Sequence, residues 1–176
     1  AAKSPIVSRP RLHPFKDQFT PLDMKTALLL AAGTSSRFSG ANKLLLDYKD
    51  RPMIGWAAET LGLAPVERRV LVTGRDRALI TQAVATYCAQ PFEIVHNANP
   101  ESGFADSLRL GLAVTPAANW TLVLHGDMPL IDGALVNELF AAAEPDAYAI
   151  VPALAGVWGN PAILSAEAAG DAAALT

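Results

Sequence analysis

The chain has 176 residues, 51% of them hydrophobic, and a formal net charge of −3. That is enough apolar material for one domain with a real core and too much for a disordered chain. The slight acidity excludes a global basic field for nucleic acid, no run approaches the roughly 20 apolar residues of a membrane span, and a single cysteine, Cys88, supports neither a disulfide framework nor a thiolate zinc site and points to a reduced, cytoplasmic setting.

Residues 1–23 carry Pro5, Pro10, Pro14 and Pro21 among scattered Lys3, Arg9, Arg11 and Lys16. They lack the apolar segment of a signal peptide, and the prolines argue against regular structure over any length. This stretch reads as a tail or linker, with 24–176 as the folded unit. Its scattered cations read as a solvated tail rather than a nucleic-acid-binding arm.

From residue 26 the pattern alternates. "TALLLAA" (26–32) is a continuous apolar run, as expected of a strand buried on both faces. "PMIGWAAETLGL" (52–63) opens on proline and carries apolar residues at helical spacing. A second strand centres on Val70, Leu71 and Val72 and ends at Gly74. Next come a helix over 76–89, a strand over 92–97, a helix over 105–114 and a strand over 120–127. A helix over 132–143 and a strand over 147–154 follow, then a short strand over 160–165 and an alanine-rich helix. Strand–helix alternation with short turns predicts an α/β fold, three layers deep, around a mostly parallel sheet. Cys88, Trp56 and Phe140 fall where core residues belong.

In such sheets ligands bind beyond the carboxyl ends of the strands. That rule gathers 33–43, Thr73 with Gly74, 96–103 and 125–127 around one crevice. The loop "GTSSRFSGANK" (33–43) combines a glycine, which lets backbone donors approach an anion, with the guanidinium of Arg37 and the ammonium of Lys43. Its spacing is neither that of a Walker A loop nor of a dinucleotide-binding glycine fingerprint. The competing reading is an ordinary turn with solvated cations. Asp127, at the end of "LVLHGD", is placed to hold Mg²⁺ against phosphates; the competing reading is a turn or helix-cap aspartate. His96 and His125, at strand ends, read as hydrogen-bonded structural residues.

"LAAGTSSRFSGANKLLL" (30–46) resembles the signature of the molybdenum cofactor nucleotidyltransferase family, L-A-A-G-x-S-x-R followed by a lysine. "NPESGFADSLRLGL" (99–112), "LHGDMPLI" (124–131) and "GNPAILS" (159–165) resemble later segments of the same family, so the likeness spans about 26–165. Within it the chain is most similar to the molybdopterin cytidylyltransferases. The resemblance implies a nucleotide-diphospho-sugar transferase-like fold. It also implies transfer of a nucleotide, CMP from CTP, to the terminal phosphate of molybdopterin with release of pyrophosphate. By position, the backbone at Ala31, Ala32 and Gly33 would receive the nucleotide, with Thr73, Gly74 and Ser107 lining its pocket. Arg37 and Lys43 would neutralise the triphosphate, Asp127 would bind Mg²⁺, and Asn160 would sit near the acceptor phosphate. A molybdoenzyme or maturation factor is the implied partner, with neither nucleic acid nor membrane involved.

Other phosphate acceptors, a guanylyl donor, or a non-catalytic nucleotide-binding domain of a maturation factor are the alternatives. The chain departs from the family pattern in lacking an acidic D-x-D-type element near Thr176 and a basic residue before Gly159. Mobile loops over the acceptor site are the expected home of those residues. Asp171 reads as a solvated residue of a short polar turn, and Trp158, just before "GNP", could stack on a pterin.

Overall fold

The computed structural model describes residues 6–10, 24–33, 41–115 and 118–174. In chain order these form β1 (Ile6–Pro10), β2 (Lys25–Ala31), β3 (Asp47–Tyr48), β4 (Arg51–Pro52), α1 (Met53–Leu63), β5 (Arg68–Thr73), α2 (Arg77–Tyr87) and β6 (Glu93–His96). Then follow α3 (Phe104–Ala113), β7 (Trp120–His125), α4 (Gly133–Ala141), β8 (Ala147–Leu154), β9 (Val157–Trp158), β10 (Ala162–Ser165) and α5 (Ala166–Ala174). One sheet of eight strands runs in the order β1–β8–β10–β7–β2–β5–β6, with β9 paired to β8; β3 and β4 make a separate ladder.

Strands β7, β2, β5 and β6 are mutually parallel. The sequence-predicted strand at 160–165 is real but inserts antiparallel between β7 and β8. The reason is local: β8 folds back on β9 through Ala155 and Gly156, both at positive φ (49° and 79°), instead of crossing over through a helix.

Burial on both faces explains the unbroken apolar strands. Successive residues of β2 alternate between two cores. Ala27, Leu29 and Ala31 join Ile54 and Leu61 of α1, Ile80 and Val84 of α2, and Val136 and Leu139 of α4. Leu28, Leu30 and Ala32 join Leu112 of α3 and Ala169 of α5 on the other side. The fold is therefore the three-layer α/β/α arrangement around a mostly parallel sheet. Among the described residues one charge lies inside it: Arg69 is 9% exposed, and its guanidinium donates to the carbonyls of Leu61 (2.7 Å) and Ala64 (3.1 Å). A cation against the last carbonyls of α1 satisfies groups the helix leaves without partners and complements its dipole.

Three local expectations need correction. The backbone of Ile6–Pro10 pairs antiparallel with β8, so the proline-punctuated head does contain regular structure. An edge strand bonds on one side only and so tolerates proline. Asp171 lies in α5 rather than a turn and accepts a 2.8 Å hydrogen bond from the Tyr148 hydroxyl. Trp56 is half-buried, donating to the Tyr48 carbonyl with the Arg51 guanidinium 4.3 Å from its ring centroid. Cys88 and Phe140 are buried as expected.

The chain leaves β2 toward β5 and β6, then returns to β7 on the opposite side of β2, with α1 and α3 on opposite faces. Connections diverge between β2 and β7, and the carboxyl ends of those two strands are where a crevice must open.

Candidate active site

A cavity of about 280 Å³ occupies that position, its wall including Leu30, Ala32 and Gly33 from the end of β2 and His125 and Asp127 from the end of β7. The loop after β2 contributes Lys43 and Leu44, and the segment entering α3 contributes Gly103, Phe104 and Ser107. Leu30 and His125 are neighbours in the parallel register, so both side chains project to the same face, toward α3.

Lys43 is steered by its neighbours. Asn42 caps the short turn Lys43–Leu45 by accepting from the Leu44 N–H (3.0 Å) and donates from Nδ2 to Asp76 at the start of α2 (2.9 Å). Leu44 is buried beneath it. With its backbone pinned, Lys43 extends Nζ to within 2.5 Å of Asp127 Oδ2. Burial pushes the Asp127 carboxyl up, but the hydrogen bond and charge of Lys43 and the charge of His125 outweigh it and hold the group below its ordinary value. His125 is shifted down, first by burial and then by Lys43, against the opposing pull of Asp127. Its imidazole is correspondingly biased to the neutral form, and it lies parallel to the Phe104 ring, 5.1 Å between centroids.

The third wall depends on a residue the sequence did not single out. Asn97 is 3% exposed: its N–H donates to the Thr73 carbonyl (2.8 Å), its Oδ1 accepts from the Asn99 N–H (2.9 Å), and its Nδ2 donates to Ser107 Oγ (3.0 Å). It ties the end of β5, the 97–103 segment and the first turns of α3 together. Gly103 then turns into the helix at φ 102°, where a side chain would be strained. Arg75 and Glu101 pair across the same rim. Asn42 and Asn97 gave no sequence signal because their partners, Asp76 and Ser107, lie 34 and 10 positions away.

Of the residues proposed from sequence, Ala32, Gly33, Lys43, Ser107 and Asp127 meet on this cavity. Ala31 is buried on the opposite face of β2, beside Leu29, so only its backbone can serve the site. Thr73 is in register with Ala31, which directs it away from the cavity; it is fully buried and donates to the Val95 carbonyl (3.3 Å). Gly74 does not line the cavity either. A Cβ there would stand 2.8 Å from the Ala32 carbonyl oxygen, so the residue lets two loops pass closely. Asn160 is exposed, two residues before β10, outside the cavity wall; Trp158 is likewise exposed and outside it. Arg37 lies outside the described residues. His125, read from sequence as structural, belongs to the cavity wall.

A strand-end carboxylate beside a cationic group, at the mouth of a parallel sheet, is the equipment of enzymes that handle phosphates. The family model for the MobA-like NTP transferase domain matches residues 27–176. This chain belongs to that family. A curated relative of the MobA-like chain is nicotine blue oxidoreductase from Paenarthrobacter nicotinovorans, 32% identical over 127 residues, which are 72% of this chain and 60% of that protein. The chain thus spans less than two thirds of that relative's length. Among solved structures, Rv0371c of Mycobacterium tuberculosis superposes with a TM-score of 0.74 at 27% identity, covering 87% of this chain and 77% of that one. The same protein complexed with manganese gives 0.68 at 25% identity, with coverage of 86% and 76%. A CMP:2-keto-3-deoxy-manno-octonic acid synthetase complexed with CTP gives 0.52 at 26% identity, with coverage of 67% and 46%. The sheet and its helices are those of the nucleotide-diphospho-sugar transferase fold.

The family implies a divalent cation, and Asp127 fits one. Its carboxylate is a hard oxygen donor on the cavity wall, suited to Mg²⁺ or Mn²⁺ that take their other positions from water and phosphate oxygens. No group of three His, Cys, Asp or Glu side chains among the described residues could hold a metal by protein ligands alone. No helix among them is long and apolar enough to cross a membrane.

Proposed function

We propose that this MobA-like domain transfers a nucleotidyl group, CMP from CTP, to the terminal phosphate of a molybdopterin-type acceptor in the cytoplasm. The observation that carries the reading is the meeting of Lys43 and Asp127 on one cavity at the β2/β7 edge. An acceptor phosphate oxygen attacks the α-phosphorus; the bond from that phosphorus to the β-phosphate bridge breaks, and pyrophosphate departs with the electron pair. The nucleophile arrives ionised, so no general base is required, and the protein's contribution is positioning and charge neutralisation.

In this reading Lys43 and Arg37 neutralise the leaving pyrophosphate, while backbone at Ala31, Ala32 and Gly33 and the Asn97-oriented hydroxyl of Ser107 receive the nucleotide. Thr73 and Gly74 support that wall from behind, and Asn160 lies on the acceptor side. A Mg²⁺ ion held by Asp127 would withdraw charge from the phosphate under attack. Support for a divalent ion comes from the manganese complex of the Mycobacterium protein, and for CTP from the synthetase complex and the resemblance to cytidylyltransferases.

The test is to mix the protein with each of the four NTPs, Mg²⁺ and molybdopterin, and to measure pyrophosphate. Release with CTP above the other three is expected. Lys43→Ala should lower turnover by orders of magnitude while circular dichroism stays unchanged; normal turnover in that variant removes Lys43 from the mechanism. Nucleotide binding without pyrophosphate release from any acceptor would leave a non-catalytic nucleotide-binding domain instead.

A further inference from the structure

Phe104 is out of place for an apolar side chain. It is the first residue of α3, 52% exposed, and it stands on the cavity wall, whereas the other large exposed apolar side chains among the described residues, such as Leu63, Leu130 and Trp158, lie away from it. Its ring plane is only 4° from that of His125, with centroids 5.1 Å apart. One face of the phenyl ring therefore rests on the imidazole, and about half of the residue stays exposed on the cavity wall. Gly103, at φ 102°, sets the turn that brings the ring there. His125 is placed by the β2/β7 register and cannot swing away with the loop. The result is a flat, backed aromatic surface within the same cavity as Lys43 and Asp127, and the phosphate chemistry above gives it no task.

We propose that Phe104, backed by His125, is a stacking platform for a planar heteroaromatic ring of a substrate and a specificity-determining residue of the site. Aromatic faces of this kind select for flatness and π-surface rather than for a hydrogen-bond pattern. Two substrate groups share that chemistry: the pterin-like part of the acceptor and the base of the nucleotide. The assignment of the ring to one of them rests on the nucleotidyl-transfer reading; the existence of the platform does not.

Binding, not turnover, tests it. Dissociation constants of wild type, Phe104→Leu and Phe104→Trp are measured for a free pterin, by quenching of its own fluorescence. The same three proteins are titrated calorimetrically with the four NTPs and with ribose 5-triphosphate, which has no base. Leucine keeps an apolar side chain but removes the flat face, so ring-bearing ligands should weaken roughly ten-fold, and tryptophan should restore them. Loss confined to the pterin assigns the platform to the acceptor. Equal loss for all four NTPs, with ribose 5-triphosphate unchanged, assigns it to the base. Unchanged ring affinity in a folded Phe104→Leu protein overturns the proposal, as does a wild type that binds no ring-bearing ligand. Absence of pyrophosphate release by the wild type, with stacking intact, would sink the transfer reading alone.

Discussion

Lys43 and Asp127 are 84 positions apart in the chain and 2.5 Å apart in the fold. Each was legible as a residue type: a cation beyond a glycine-bearing turn, and a carboxylate at a strand end. Their direct pairing was not, and it changes what each can do. An ammonium on Asp127 competes with a divalent cation for the same oxygen, because one carboxylate cannot neutralise both at full strength. Phosphates that draw Lys43 away would free Asp127, coupling metal binding to nucleotide binding. The expected outcome is that Lys43→Met raises the affinity of the nucleotide-free protein for Mn²⁺ several-fold, measured by electron paramagnetic resonance, while Asp127→Asn removes that binding. Equal Mn²⁺ affinity in wild type and Lys43→Met would show that the pair does not compete with the ion.

Among elements, the helices and strands predicted from periodicity appear within one or two residues of their expected ends, because each has one face or both against a core. What periodicity could not give was sheet order. Nothing in "NPAILS" tells a reader that β10 will run antiparallel between β7 and β8, since that follows from the hairpin ahead of it. Helix α3 shows how tightly an element can be seated: a Cβ on Gly111 would lie 2.4 Å from Leu28 Cδ1 and 3.0 Å from Val72 Cγ2. Gly111→Ala should improve helix propensity yet overpack the core between α3 and the sheet, for a net loss of about 1–3 kcal/mol in urea denaturation. A stability equal to or above wild type would show that Leu28 can move aside. The shift should also displace Ser107 and Phe104, one turn and two turns earlier on the same helix.

Over the whole molecule, the site's charges are linked to stability through pH. His125 and Asp127 both bind a proton less readily in the folded chain than their ordinary values of 6.5 and 3.8 imply. As pH falls, the unfolded chain therefore takes up each proton first, and stability drops. Stability from His125 is full above pH 6.5 and declines below it, toward the imidazole's lowered folded value. The contribution of Asp127 holds until about pH 3.8 and is lost below that. Melting temperatures between pH 7.5 and 5 should fall in the wild type and fall less in His125→Gln; parallel curves would remove His125 as the source.

The sequence by itself determined the fold class, the alternating elements and the kinds of residue that could meet a triphosphate, because burial pattern and turn chemistry are written locally. It also placed Asp127 at the carboxyl end of its strand, where parallel sheets open. Tertiary structure alone decided which of those residues share a cavity. Strand register turned Thr73 away and brought His125 in, while long-range hydrogen bonds from Asn42 and Asn97 aimed Lys43 and Ser107. Side-chain direction in a sheet depends on pairing parity, and pairing is set by strands that are distant in the chain.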